Sequence, residues 1–323
     1  MLQRCLFSTG FVQKVGLPAM TLVIEQILNG FQLGVTLFLL AAGLTLVFGI
    51  MGVINLAHGS LYMVGAYGGA LMAAKTGSFW LGLPVGLAAA ALTGAAIELL
   101  IIRKLYARDH LYQVLATFGL ILFFNGFIAW KIGRAPLLMD APAALSGFVE
   151  IIPGVPYPAY RFAVMGVGLG VAGLLWFMIT KTRLGMLIRA GSTHRDMVSA
   201  LGVDIAKLYT LVFGLGALLA GLAGLMVGPI RSVQVGMGEQ VLIMTFVVIV
   251  VGGIGSIRGA FVGALLVGMC DTLGRAFAPT LFKLYLTGSI ADGLAAAFSS
   301  VLIYLVMAIV LIIRPRGLFP VGA

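Results

Sequence analysis

The sequence contains very few charged side chains. Asp, Glu, Lys and Arg make up 9% of its 323 residues, while 61% of the residues are hydrophobic. A soluble domain carries roughly 25% charged residues. A globular protein of this length with so little charge cannot cover its surface in water, which excludes an ordinary cytosolic enzyme, a disordered chain and a coiled coil. The composition therefore predicts an integral membrane protein.

Cysteine and histidine are also scarce, with two and three copies in the chain. Cys5 lies near the terminus and Cys270 lies in an apolar run, a pattern that indicates neither a disulfide framework nor a metal site. The three histidines, His58, His110 and His194, show no metal-ligand spacing with other Cys, Asp or Glu residues. Neither a metal site nor a catalytic centre is predicted.

The sequence has no recognisable nucleotide site. A glycine-rich run at 252–256 (GGIGS) lacks the Lys-Ser/Thr pair of a phosphate-binding loop and follows an apolar segment. No cofactor is expected, and any energy from ATP must come from a partner. The net charge of +10 does not indicate nucleic-acid binding, because the basic residues stand between apolar runs, where they set membrane orientation.

The uncharged runs can be counted against the roughly 20 residues that a transmembrane helix needs. The run between Glu25 and Lys75 fits two spans with a polar turn at 55–60 (NLAHGS). Six further runs fit one span each: 76–97, 110–130, 162–180, 208–230, 240–257 and 293–313. Glycines spaced four apart, such as Gly65 and Gly69, are typical of closely packed membrane helices.

A ninth span depends on a shorter apolar run at 259–270. It crosses the membrane only if its helix continues through Asp271 and Arg275, which stand four apart and are expected to pair on one face. Otherwise the segment re-enters. The sequence therefore predicts an all-α integral membrane protein, a polytopic bundle of eight to nine transmembrane helices with broken or re-entrant segments.

The basic residues predict the orientation of this bundle. Eleven Lys and Arg residues fall on the side that the positive-inside rule makes cytoplasmic, against seven on the other side. Nine spans then place the N-terminus outside and the C-terminus inside. We expect one transmembrane domain at 20–323, with an inner loop at about 181–207 and an outer loop at about 131–160. Residues 1–19 are expected to form a tail outside that domain, and a start at Met20 is an alternative.

Several polar residues within the predicted spans are candidates for a translocation path. In the turn at 55–60, Asn55, His58, Gly59 and Ser60 either line a passage or form a short cytoplasmic turn in which His58 caps a helix. A second break at 252–255 is the expected counterpart in the other half of the chain. Further along, Thr117 and Asn125 either face the path or bond to a neighbouring helix.

Glu98 lies near the end of its span, five residues before Arg103. Snorkelling to the cytoplasmic interface is the favoured interpretation, with a role in the path as the alternative.

The inner loop is too rich in helix signals to be a simple connector. Ser192 or Thr193 is expected to cap a short helix that begins at His194, carries Asp196 in its first turn and ends at Gly202. Such a helix either docks a soluble partner or lies at the membrane interface, and the sequence favours neither.

These residues also carry a resemblance. The stretch 43–49 (GLTLVFG), together with 53–60 (VINLAHGS) and 65–67 (GAY), closely resembles the permease subunits of branched-chain amino-acid ABC importers, in their LivH-like branch. Ser60 stands where some members have an acidic residue. Further matching stretches follow in the expected order: 182–185 (TRLG) with Arg189 and Ala190, 252–256 with Gly259 and Ala260, and 314–319 (RPRGLF).

The resemblance implies a multi-pass subunit of the bacterial cytoplasmic membrane. Its expected partners are a second related permease or a second copy, two cytoplasmic ATPases that bind the ATP, and an extracytoplasmic solute-binding protein. It also implies an ATPase-coupling role for the inner loop, with Arg183, Gly185, Arg189, Ala190, Asp196 and Gly202 as its residues. Related permeases carry urea and short amides. An ion-coupled transporter that uses His58, Glu98 or Asp271 as a relay, and a channel, are the remaining alternatives.

Overall fold

The computed structural model describes residues 9–106, 108–150, 155–193, 195–286 and 288–319. The predicted tail at 1–19 lies partly outside these residues, and from Thr9 onward its backbone is the beginning of the first helix. Eleven α-helices occur in the described parts of the chain: α1 Thr9–Met51, α2 His58–Thr76, α3 Phe79–Leu100, α4 His110–Lys131, α5 Ala159–Lys181, α6 Arg183–Thr193, α7 Arg195–Ala200, α8 Ile205–Val227, α9 Met237–Gly252, α10 Ile257–Lys283 and α11 Gly288–Ile313.

The other described turns and strands lie in the two connections that flank α4. A 3₁₀ turn at Ile102–Leu105 follows α3, and another at Ala143–Leu145 lies in the predicted outer loop. The outer loop also forms a hairpin of β1 (Phe148–Glu150) and β2 (Pro156–Pro158), paired antiparallel. The described part of this loop therefore contains regular structure.

Nine of the described helices correspond to the nine predicted segments, but they are not equivalent. Seven are long and apolar enough to cross a membrane: α1 over Met20–Met51, α3, α4, α5, α8, α10 and α11. The other two, α2 and α9, do not meet that standard, and α9 has only 16 residues. The predicted polytopic all-α bundle with broken segments is confirmed. The sequence did not distinguish α2 and α9 from the longer helices, because an uncharged run cannot show whether its helix starts at the surface or inside the bundle.

The ninth segment is long and apolar enough to span the membrane. Helix α10 continues for 27 residues through Asp271 and Arg275. Arg275 donates from Nε to Asp271 Oδ1 at 2.9 Å and to Oδ2 at 3.0 Å. The predicted pair is thus confirmed, and it lets a short apolar run continue as a complete helix because neither charge is left unpaired in the bundle.

Close glycine contacts hold the bundle together. A Cβ added to Gly65 on α2 would lie 2.4 Å from Gly221 Cα on α8, and one added to Gly268 on α10 would lie 2.4 Å from Gly34 N on α1. In lipid, where apolar surface gains little by burial between helices, such close backbone packing is a main source of helix association. Helices α2 and α3 pack on α8, and α10 packs on α1.

The predicted basic clusters come together on one face of the bundle, called the basic face below. The loop after α3 meets the start of α8 there, since Arg103 Nη2 donates to Thr210 Oγ1 at 2.7 Å. The segment after α11 reaches the end of α9, where the Leu318 N–H donates to the Val251 carbonyl at 2.9 Å. The outer loop lies on the opposite face, where the Leu137 N–H donates to the Val233 carbonyl at 2.8 Å.

Candidate functional site

The chain turns back into the bundle between α1 and α2. Gly52, with φ +64°, ends α1, and the segment that follows leads to His58 at the start of α2. His58 Nε2 lies 3.2 Å from the carbonyl oxygen of Leu40. Leu40 stands eleven residues before the end of α1, which is about 16 Å along a helix. Helix α2 therefore begins near the middle of the membrane, roughly 30 Å thick in its apolar part.

This placement corrects the predicted turn. The break covers 52–57, and His58, Gly59 and Ser60 form the first turn of α2. Asn55 and His58 are fully buried, so the alternative of a short cytoplasmic turn is wrong.

Several side-chain polar atoms at this break have no hydrogen-bond partner among the described residues. They are both amide atoms of Asn55, Nδ1 of His58 and Oγ of Ser60. Ala57, at the cap position of α2, supplies no side-chain hydrogen bond to the helix start. Buried polar groups without partners are rare in folded proteins. At membrane depth, a cluster of them beside an uncapped helix start is a candidate binding site.

A second helix also starts inside the bundle and meets the first. A Cβ added to Gly238, in the first turn of α9, would lie 2.1 Å from the Gly59 carbonyl oxygen on α2. The positive ends of two helices thus lie side by side. The chain also breaks at 252–255, between α9 and α10, as predicted. This break does not lie beside the start of α2, because Gly255 packs against Gly49 near the end of α1.

The two candidates on α4 differ in their surroundings. Asn125 Nδ2 donates to Glu239 Oε1 at 2.5 Å and so links α4 to the first turn of α9. Thr117 is fully buried, but its hydroxyl donates back to the Gln113 carbonyl at 2.8 Å on its own helix. Sequence reasoning missed Glu239, which looked like the charged boundary of an apolar run.

The predicted inner loop contains two helices, α6 and α7, where one was predicted. Thr182 marks the start of α6, since its Oγ1 accepts a hydrogen bond from the Gly185 N–H at 3.2 Å. Ser192 belongs to α6, where its hydroxyl donates to the Arg189 carbonyl, so its predicted capping role is wrong. Gly202 has φ +85° and ends the segment after α7, as predicted. The side chains of 193–196, including Asp196, lie outside the described residues.

The other coupling candidates surround the junction of α5 and α6. Gly185 is buried, and an added Cβ would lie 2.3 Å from the carbonyl oxygens of both Met178 and Ile179. Arg189 donates to the Ile179 carbonyl. Arg183 is exposed, and Ala190 is partly exposed.

A cavity of about 1020 Å³ opens beside this junction. It lies between α1, α5, α6 and the turn that joins α9 to α10, with Thr45, Trp176, Arg189 and Gly255 among its lining residues. The junction of α5 and α6 thus borders open space at the basic face.

Helix α8 follows the two helices of the inner loop, α6 and α7, after a short connection. Asp204 caps α8 through a hydrogen bond from the Lys207 N–H at 3.1 Å. That backbone hydrogen bond and the adjacent Lys207 side chain lower the pKa of the Asp204 carboxyl. The cap therefore stays ionised at neutral pH, where a negative charge stabilises a helix N-terminus.

Glu98 is buried, not snorkelled as predicted. Its carboxylate accepts hydrogen bonds from Arg103 Nε at 3.2 Å and from the Tyr106 hydroxyl at 2.5 Å. Thr210 on α8 donates to Oε2 at 2.8 Å. The side chain has no exposed surface, while Arg103 remains 39% exposed. Glu98 thus joins the end of α3 to the start of α8.

Replacing Glu98 with Gln is expected to destabilise the protein by about 1.5–3 kcal/mol, because charged hydrogen bonds become neutral ones and the amide offers an unwanted donor. The measurement is the midpoint of thermal unfolding in detergent. Glu150→Gln is the matched control, since Glu150 is exposed on β1. A midpoint unchanged from the wild type in Glu98→Gln would contradict a structural role for this carboxylate.

Known proteins match this chain over most of its length. The LivH permease protein of the high-affinity branched-chain amino acid transport system of Salmonella typhimurium is 30% identical over 274 residues, 80% of this chain and 88% of LivH. The corresponding BraD protein of Pseudomonas aeruginosa is 29% identical over 318 residues, 94% of this chain and 97% of BraD. The ribose import permease protein RbsC of Escherichia coli is 29% identical over 245 residues, 72% of each chain.

The family described as the branched-chain amino acid transport system / permease component matches residues 26–311, from the middle of α1 to two residues before the end of α11. The two short helices that meet inside the bundle and the helical inner loop lie within that match. The expected resemblance is confirmed: the chain belongs to this family of ABC-importer permeases, and it is a multi-pass protein of the inner membrane.

Proposed function

We propose that this chain is the permease subunit of an importer that moves branched-chain amino acids or similar small solutes. The observation that carries the proposal is the family match over 26–311. The proposed assembly contains a second permease or a second copy of this one, two ATPases on the basic face and a solute-binding protein on the opposite face. ATP binds to the ATPases.

The translocation path is proposed to pass the place where α2 and α9 meet. Asn55 would line it from the break before α2, His58, Gly59 and Ser60 from the first turn of α2, and Asn125 from α4. Thr117 is proposed as a path residue because it is buried on α4. The unpartnered polar atoms of α2 support this path, since a polar solute crossing an apolar bundle needs such groups.

A continuous set of contacts runs from the inner loop to this place. Helices α6 and α7 lead into α8. Gly224 on α8 packs against Tyr62 on α2, where an added Cβ would lie 2.1 Å from the Tyr62 carbonyl oxygen. When the ATPases close, a displacement of α6 and α7 would therefore reach α2 through α8. The inner loop can couple ATP binding to transport only if it has two conformations that the ATPases bind with different affinities.

The contacts of Glu98 and Asp271, the two carboxylates named as relay candidates, favour this proposal over an ion-coupled transporter. A proton or ion relay needs carboxylates that are free to exchange partners. Glu98 is held by Arg103, Tyr106 and Thr210, and Asp271 is held by Arg275. A permease for urea or short amides remains the second candidate, since related proteins differ in their solutes.

Uptake of labelled leucine, in cells with and without this chain, tests the proposal. Leucine uptake should disappear on deletion, survive a protonophore and fail on ATP depletion. Uptake sensitive to the protonophore but not to ATP depletion would favour ion coupling. Unchanged leucine uptake, with loss of labelled urea uptake, would identify the second candidate.

Replacing Arg183 with Ala is expected to lower ATP-dependent leucine uptake roughly tenfold, a coupling loss of about 1.4 kcal/mol, because this exposed cation lies at the start of the proposed docking helix α6. Arg134→Ala is the control, since Arg134 is an exposed arginine in the predicted outer loop. The measurement is initial uptake rate at equal protein in the membrane. Wild-type uptake by Arg183→Ala would remove this residue from the coupling surface.

A further inference from the structure

Three carboxylates of the membrane helices pair with cations in the described parts of the chain. Glu98 pairs with Arg103, Asp271 with Arg275, and Asp292 with Lys283. Glu239 has no Lys, Arg or His within ion-pair distance in the described parts of the chain, and its hydrogen-bond partner there is the uncharged amide of Asn125. A carboxylate inside a membrane protein that lacks a cation is a functional-site candidate.

Glu239 lies at about the same depth in the bundle as the first turn of α2. It stands thirteen residues before the end of α9, about 20 Å along the helix, and α9 ends at the basic face beside Phe319. The adjacent Gly238 touches Gly59. Ser60 and Glu239 each follow one of these two glycines in sequence, so the hydroxyl and the carboxylate belong to neighbouring first turns.

The two first turns differ in charge. On α2, the helix start has no acidic residue in its first turn and no side-chain cap, and the buried Asn55 and Ser60 beside it have unused hydrogen-bonding atoms. The N–H groups of His58 and Ser60 already donate to the carbonyls of Asn55 and Ala57. A solute carboxylate here would therefore be held by the free Asn55 amide and Ser60 hydroxyl donors and by the positive end of the helix. On α9, the Glu239 carboxylate, held by Asn125, is what an ammonium group binds.

We infer that these two turns form one site for a zwitterionic α-amino acid, with the solute's ammonium on Glu239 and its carboxylate at the start of α2. The inference rests on the proposed function and deepens it by assigning the residues that bind the two charged groups of the solute. Asn125 acts as the positioning residue, because its amide fixes one oxygen of Glu239 while the other remains available. A neutral solute such as urea can donate hydrogen bonds to Glu239 but brings no positive charge, so it compensates the desolvation of this carboxylate less than an ammonium group does.

The test uses the whole transporter, purified with its partner subunits and reconstituted in vesicles, with labelled leucine as the probe. Glu239→Gln should reduce the initial rate of ATP-driven leucine uptake at least tenfold. Glu239→Asp, which keeps the charge, should recover a measurable part of that rate. Asp292→Asn, which removes an exposed carboxylate that pairs with Lys283, should transport as the wild type does.

Thermal unfolding of the same samples separates binding from folding. The inference requires Glu239→Gln to unfold at the wild-type midpoint while failing to transport. It is overturned if Glu239→Gln transports leucine normally, or if Glu239→Asp is as inactive as Glu239→Gln while both fold. If the wild type carries urea and not leucine, the amino-acid proposal itself fails.

Discussion

Replacing Gly238 with Ala is expected to abolish transport. The added Cβ would lie 2.1 Å from the Gly59 carbonyl oxygen and 2.5 Å from the Gly59 carbonyl carbon. Both contacts are with backbone, so no side chain can rotate away, and the interior of a protein is too closely packed for the two helix starts to separate without wider movement. Since the proposed path passes this contact, the first turns of α2 and α9 would lose the geometry that a solute needs.

The measurement is initial leucine uptake at matched protein in the membrane, together with the unfolding midpoint in detergent. Gly59→Ala should fail in the same way, because its Cβ would lie 2.6 Å from the Gly238 carbonyl oxygen. Gly126→Ala on α4 is the control, since its Cβ would meet nothing within 4 Å. Gly238→Ala with wild-type uptake would show that the contact of α2 and α9 is not part of the path.

Replacing Gly185 with Ala is expected to uncouple ATP hydrolysis from transport. The new Cβ would lie 2.3 Å from two carbonyl oxygens at the end of α5, those of Met178 and Ile179. Helix α6 would have to swing away from α5, which changes the surface offered to the ATPases. The main bundle does not depend on this contact, so the protein should still insert and unfold near the wild-type midpoint.

The measurement compares leucine uptake with ATP hydrolysis in the reconstituted transporter. Gly185→Ala should lose most uptake, while the ATPases continue to hydrolyse ATP. Gly191→Ala, also on α6, is the matched control, because its Cβ would make only an ordinary 3.4 Å contact with Leu208 Cδ2. Equal uptake in the two variants would mean that the position of α6 does not control coupling.

Segments and breaks could be predicted from the sequence, whereas helix depth could not. The turn near Asn55 was located within a few residues because polar and glycine residues interrupt an apolar run. The sequence did not decide whether this turn lies at the surface or lines a path, since the same residues fit both. Burial of Asn55 and His58 in the structure excludes the surface turn.

Candidate site residues could be found from the sequence where they interrupted a pattern. Asn125 stood out as a lone amide in an apolar helix, and Gly202 as a helix terminator. Glu239 gave no such signal, because an acid at the edge of an apolar run usually marks the membrane surface. Glu239 became a candidate only because its neighbour Gly238 contacts Gly59, which lies far away in the sequence.

By itself, the sequence determined that this is a multi-pass helical membrane protein with a structured inner loop, because scarce charge and long apolar runs are local properties. Only the tertiary structure decided that α2 and α9 begin inside the bundle, that Glu98 is a buried link between α3 and α8, and that Glu239 lacks a cation. Those facts depend on which distant backbones approach each other, and glycine contacts between separate helices set that approach.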